Sequence, residues 1–324
     1  MSKTLSALTC LIATSFFASA AVTIEKVDYH GWKNSYRMTN GTVEVIVVSD
    51  IGPRIMHYGF VGDKNMFLEV PAMLGKSGET TWQSRGGHRL WAAPEVMPDT
   101  YALDNSSCEA EVKGNSVTVT GPVEKETGLQ KQMVITMAPA GTSVTVLHTI
   151  TNKGAKARKM APWALTQMAQ AGMAILAFPP RRRHEDYLLP TNPLTMWGFT
   201  NFTDPRWKIL NKYITLKQDP QATNPQKTGI FNTNTFAAYL LGSDLFVKRT
   251  HAYPTRTYPD YGCSVETYSD PDILEIETLG PMATLAPNAS VRHTEHWNLY
   301  RNISIPELTD EGIDQALKPI LTQP

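Results

Sequence analysis

What most narrows the fold of this chain is a repeated pattern: short runs rich in Val, Ile, Thr and aromatic residues, each closed by a turn signal. From Val22 to about Thr151 the punctuation is Asn-Gly, Gly-Pro, Gly-Asp, Gly-Asn and Ala-Gly, which marks strands joined by tight turns. Asn40-Gly41 separates Tyr36-Arg37-Met38 from a run over 42–48, the strongest hairpin cue in the chain. Lys113-Gly114-Asn115-Ser116 divides a second pair of runs, and Ala138-Pro139-Ala140-Gly141 a third. Strands resume at 236–249, 263–268, 274–279 and 291–300, and the tail from Pro306 to Leu317 carries apolar residues at helical spacing. The expected fold is all-β, antiparallel, with a short C-terminal helix. Between Phe178 and Lys227 the pattern gives way to Pro-rich sequence that reads as a long loop, with the charge run Arg181-Arg182-Arg183-His184-Glu185-Asp186 near its start, read as a solvated turn or as a cationic lip for an acidic glycan.

Composition limits the partners. Lys plus Arg equals Asp plus Glu, giving zero formal charge, and basic residues form no stripe, so nucleic acid is not an expected partner. With 42% apolar residues the chain can bury a large core, and no internal linker divides it. Residues 1–20 read as a signal peptide: Met1-Ser2-Lys3, an apolar run from Leu5 to Phe17, then Ala18-Ser19-Ala20. Residues 21–324 are then one domain of a secreted or periplasmic protein. No later segment offers a membrane span. Cys108 and Cys263 remain after cleavage, a pair that allows one disulfide without requiring it.

Two segments carry chemistry. Leu274-Glu275-Ile276-Glu277-Thr278-Leu279 alternates so that Glu275, Glu277 and Leu279 share a face, and Gly280-Pro281 ends the strand just past Glu277. A carboxylate at the rim of a concave sheet can serve as a base. Gly86-Gly87-His88-Arg89-Leu90-Trp91-Ala92-Ala93-Pro94-Glu95 packs a proton carrier, a cation, an aromatic plate and a carboxylate behind two glycines. That set suits a sugar, with hydroxyls on Arg89 and Glu95 and a ring face on Trp91. Trp163 reads equally as core or as a sugar platform, and His148 as a core histidine. Serine-hydrolase, phosphate-loop, dinucleotide and zinc-protease motifs are missing, so neither metal nor cofactor is expected. Asp270 and Asp272 read as turn aspartates.

Gly87-His88-Arg89-Leu90-Trp91, Pro94-Glu95, Tyr258-Pro259-Asp260, Glu277-Thr278-Leu279-Gly280-Pro281 and Glu295-His296-Trp297 together resemble the galactose mutarotase-like (aldose 1-epimerase-like) superfamily, across nearly the whole chain after residue 20. The resemblance implies a β-supersandwich with a carbohydrate cleft on one concave face. It implies Glu277 as base, His88-Arg89 in the place of an Asn-Arg sugar-binding pair, and His88 as provisional acid. Lys248 and Asp260 join Arg89, Trp91, Glu95 and Trp163 as expected sugar contacts. The epimerases carry a histidine on a middle strand where this chain reads Trp163-Ala164-Leu165. Three activities stay open on this reading: epimerase-type proton transfer, non-catalytic glycan binding, and lyase chemistry on a uronate polymer. The leader reading predicts that N-terminal sequencing of native protein begins at or near Ala21; a sequence beginning at Met1 contradicts it.

Overall fold

The computed structural model describes residues 21–321, so the segment read as a signal peptide lies outside the described residues. Two antiparallel sheets, of eleven and ten strands among the described residues, face one another and make a β-supersandwich with one C-terminal helix. The Asn40-Gly41 hairpin forms between strands Trp32–Thr39 and Val43–Val48, with Gly41 in the left-handed region. Helix Asp310–Leu321 lays Ile313, Leu317 and Ile320 on the outer face of the ten-stranded sheet, against Ile175, Phe236 and Val247. No helix among the described residues is long and apolar enough to cross a membrane. Cys108 and Cys263 are both free.

The segment read as a loop between Phe178 and Lys227 departs from that expectation. It contains the short strands Leu194–Met196 and Trp207–Ile209, each an edge of one sheet, and Tyr213–Lys217, which pairs beside the second edge. Each is too short to show clear alternation. Their stability comes from pairing and from burying Trp207, Ile214 and Leu216 rather than from local pattern.

The functional geometry depends on five adjacent strands of the eleven-stranded sheet: Gly87–Ala93, Arg158–Met168, Leu274–Leu279, Val265–Ser269 and Gln226–Ile230. Their registers align side chains in rows. Trp91, Trp163 and Leu279 form one row; Arg89, Leu165, Glu277, Glu266 and Gly229 the next; Gly87, Gln167, Glu275, Tyr268 and Lys227 a third. All three rows lie on the face turned away from the other sheet. The intervening residues, His88 with Thr166 and Ala164 with Thr278, point inward between the sheets.

That inward set meets a polar network from the ten-stranded sheet. Lys248 Nζ lies 2.9 Å from Glu295 Oε1 and donates to Thr166 Oγ1 at 3.0 Å. His148 Nδ1 faces the His293 carbonyl at 3.0 Å and must donate, which leaves its Nε2 as acceptor for His88 Nε2–H at 2.7 Å. His88 Nδ1 then accepts from the Thr166 hydroxyl at 2.8 Å. Thr278 and Trp297 both donate to Glu295. Burial pushes His88 and His148 below the usual imidazole range and His293 down to about 3. Against the cost of its burial, Lys248 and the nearby histidines hold Glu295 below the carboxylate range. The network is one buried ion pair among neutral imidazoles.

This placement corrects two expectations. His88 and Lys248, read as acid and sugar contact, are fully buried between the sheets. The cause is the pleat: His88 is adjacent to Arg89 and therefore faces the other way.

The network makes stability depend on pH. An imidazole titrating near 6.5 in the unfolded chain and near 3 when folded adds stability at neutral pH that is lost as pH falls below about 6.5. Relative to His293→Asn, wild-type protein is therefore expected to lose up to about 1.4 kcal/mol per pH unit between about 6.5 and 3. Urea unfolding of both proteins across that range measures the difference, and a constant difference contradicts neutral burial of His293.

Candidate functional site

The outward rows floor a cleft of about 420 Å³. Its walls are aromatic: Trp82, Trp91, Trp163 and Trp197, with Phe199, Tyr101 and Tyr268. Trp82, Trp91 and Tyr101 meet edge to face, and Trp91 meets Trp163 the same way at 5.4 Å. Polar groups enter at a few points, namely Arg89, Glu95, Gln167, Lys227, Asp270 and Glu275.

Gly86 and Gly87 make the Arg89 position possible. Both take positive φ, and a Cβ on Gly86 would lie 2.0 Å from the Leu68 carbonyl oxygen and one on Gly87 2.4 Å from that of Ile55. The strand therefore starts pressed against its neighbours. Arg89 stacks over the Trp91 ring with Cζ 4.3 Å from the centroid, and its Nη2 lies 3.0 Å from Glu275 Oε1. Gln167 Nε2 donates to the same oxygen at 3.0 Å. Burial raises the Glu275 carboxyl, against the opposing pull of Arg89. Glu95 stands at the exposed rim and accepts from the Tyr101 hydroxyl, whose own pKa burial and Glu95 push up to about 12.

Lys227 forms the opposite wall. Its Nζ lies 4.6 Å from the Trp163 centroid and 4.7 Å from that of Trp197. It is 3.0 Å from Glu266 Oε2 and 3.2 Å from Glu277 Oε2. Burial favours the neutral amine, but Glu266 and Glu277 outweigh it and hold the ammonium above the ordinary lysine range. Glu277 also accepts from the Trp163 indole N–H at 2.7 Å. It is fully buried, beneath Trp163 and Lys227, so it anchors those two residues and is not itself presented to the cavity.

The structure thus brings Arg89, Trp91, Glu95, Trp163 and Glu277 to one face and sets His88 and Lys248 apart. Asp260 sits at the edge beside Glu266, with burial raising its carboxyl. Asp270 accepts from the backbone N–H groups of Asp272 and Ile273, closing a turn. Arg181, Arg182 and Arg183 are exposed and none lines the cleft. Sequence reasoning missed Glu266, Lys227, Trp82, Trp197 and the central place of Glu275. Alternation could have found Glu266 with Tyr268, whereas Trp197 follows an edge strand whose pattern is too short to read.

Several buried polar atoms on this face lack a hydrogen-bond partner: Arg89 Nε and Nη1, the indole nitrogens of Trp82 and Trp91, and Glu277 Oε1. Buried polar groups are nearly always satisfied. A cluster of unsatisfied donors and acceptors on one aromatic face is the signature of a site completed by water or ligand.

The fold is that of the galactose mutarotase-like proteins. A candidate aldose 1-epimerase from Klebsiella pneumoniae superposes with a TM-score of 0.56 at 12% identity, over 93% of this chain and 86% of that one. A galactose mutarotase-like protein from Clostridium acetobutylicum gives 0.51 at 9% identity over 87% and 99%. A galactose mutarotase related enzyme from Lactobacillus acidophilus gives 0.50 at 11% over 85% and 98%. No protein-family model matches the chain, and no curated protein matches it in sequence.

The Lys227 anchorage is testable by unfolding. Lys227→Met leaves two buried carboxylates uncompensated and is expected to cost about 3–5 kcal/mol. Adding Glu277→Gln should recover part of that loss, so a double-mutant cycle by urea denaturation should show coupling of about 0.5–3 kcal/mol. Strict additivity would refute the pairing.

Proposed function

We propose that this protein binds a sugar ring in the aromatic cleft and moves protons at its anomeric centre. The observation that carries the reading is the combination in one 420 Å³ cleft of four tryptophans with Arg89, Lys227 and Glu275. Tryptophan faces cover the apolar face of a pyranose, while Arg89 Nε and Nη1 and the indole N–H groups of Trp82 and Trp91 await hydroxyl oxygens. The fold, shared with galactose mutarotase-like proteins, points the same way.

In the chemistry we propose, Glu275 takes the anomeric hydroxyl proton as the ring C–O bond breaks. Its burial-raised carboxyl makes it a better base near neutral pH than an exposed glutamate. Lys227, on the opposite wall, gives a proton to the leaving ring oxygen. The open aldehyde turns and recloses on its other face, returning both protons. A purely binding role is the second reading. It is favoured by the ion pairs of Arg89 Nη2 and Lys227 Nζ, which hold both cations in place as hydrogen-bond donors.

Tryptophan fluorescence and polarimetry on glucose, galactose and mannose test both. Saturable quenching is expected, with affinity falling roughly tenfold or more in Trp91→Ala, about 1.4 kcal/mol. Glu275→Gln should cut anomer exchange by about 10²–10⁴-fold and change binding little. Binding without exchange in wild type selects the second reading, and no binding to any sugar removes both.

A further inference from the structure

Beside Lys227 the structure gathers more carboxyl groups than it has cations to match. Glu266 and Glu277 face each other across paired strands and share the one ammonium of Lys227. Asp260 adds a third carboxyl in hydrogen-bond contact with Glu266. If all three were ionised, the fully buried Glu266 and Glu277 with half-buried Asp260 beside them would set three negative charges against one positive, which low-dielectric surroundings disfavour. Two carboxyl groups hydrogen-bond to each other only when one of them carries a proton.

The backbone is bent to make this contact. Asp260 and Tyr261 are consecutive non-glycine residues with φ of 52° and 60°, a combination that is costly and persists only where the surroundings enforce it. Cys263 Sγ–H and Thr195 Oγ1–H both donate to the Asp260 carbonyl, at 3.0 and 3.2 Å. Opposite Glu266 in register stands Gly229, where a Cβ would lie 2.5 Å from Cys263 Sγ and 2.9 Å from Glu266 Cγ. The pocket around Glu266 is therefore filled by protein. Lys227 Nζ meets Glu266 Oε2 at 3.0 Å, and Glu266 Oε1 has no hydrogen-bond donor when the group is taken as ionised.

We propose that Asp260 and Glu266 share one proton at neutral pH and that this carboxyl pair is the proton store of the sugar site. This rests on the proton-transfer reading above. Burial raises Glu266 well above the carboxylate range, with Glu277 and Asp260 adding to the effect against Lys227, and it raises Asp260 as well. The transfer balances without a co-reactant. A Lys227 N–H bond breaks as the sugar ring O–H forms, and the proton leaving the Asp260–Glu266 pair rebuilds the ammonium. On ring closure the sequence runs in reverse. Glu266 acts through Lys227, so it is a positioning and relay residue.

Infrared difference spectroscopy on the full chain tests the proposal without requiring turnover. Wild type at pH 7 should show a protonated-carboxyl C=O band that disappears in Glu266→Gln and returns, shifted, in Glu266→Asp. Glu275→Gln, recorded alongside, removes any contribution from that group, and circular dichroism verifies folding of each variant. Absence of the band in folded wild type, or its survival unchanged in Glu266→Gln, overturns the shared proton. Polarimetry on the same samples separates the two claims. Exchange slowed at least tenfold in Glu266→Gln with sugar affinity retained supports the relay. A wild type that has the band but exchanges no anomer on glucose, galactose or mannose overturns the relay together with the catalytic reading, and leaves sugar binding intact.

Discussion

Everything functional in this protein depends on the pleat of five neighbouring strands. Because side chains alternate, the eleven-stranded sheet turns His88, Thr166 and Thr278 toward the buried ion pair of the other sheet and carries a second buried charge system on its opposite face. Inward, His88, Thr166 and Thr278 bond to His148, Lys248 and Glu295 of the ten-stranded sheet and so tie the two sheets together. Outward, Arg89 with Glu275 and Lys227 with Glu266 and Glu277 floor an aromatic cleft. A shift of one residue in the registers of this sheet would turn His88, Thr166 and Thr278 outward and drive Arg89, Glu275, Glu277 and Lys227 between the sheets.

The two faces differ in how complete they are. The Lys248–Glu295 network satisfies its donors and acceptors, as expected of a structural core. The cleft face does not: Arg89, two indoles, Glu266 and Glu277 retain unpartnered atoms. Unsatisfied buried polar groups cost about 1–3 kcal/mol each, and on this face they border an aromatic cleft. The aromatic walls also hold the cations in place, since Arg89 lies over Trp91 and Lys227 lies between Trp163 and Trp197.

Much of this was legible in the sequence. Turn chemistry at Asn40-Gly41 fixed a hairpin, and the alternation in 274–279 placed Glu275 and Glu277 on one face. The glycine pair announced the close approach that aims Arg89. His88 was misplaced because a motif read as a cluster of residue types ignores that neighbours on a strand point opposite ways. Glu277 was preferred to Glu275 for standing at a strand end, but access is decided by what covers a residue, and Trp163 and Lys227 come from strands remote in sequence. Trp197 and Lys227 lie in or beside a segment of short edge strands, where pairing partners rather than local pattern decide the structure.

The account stands on the claim that the aromatic cleft holds a sugar ring. Crystals grown with saturating galactose or glucose test it most directly. The account predicts electron density for one ring stacked on a cleft tryptophan, with hydroxyl oxygens within hydrogen-bond reach of Arg89 and Glu275. A sugar bound elsewhere on the molecule with this cleft left to solvent, or no bound sugar at concentrations that saturate fluorescence, would contradict it.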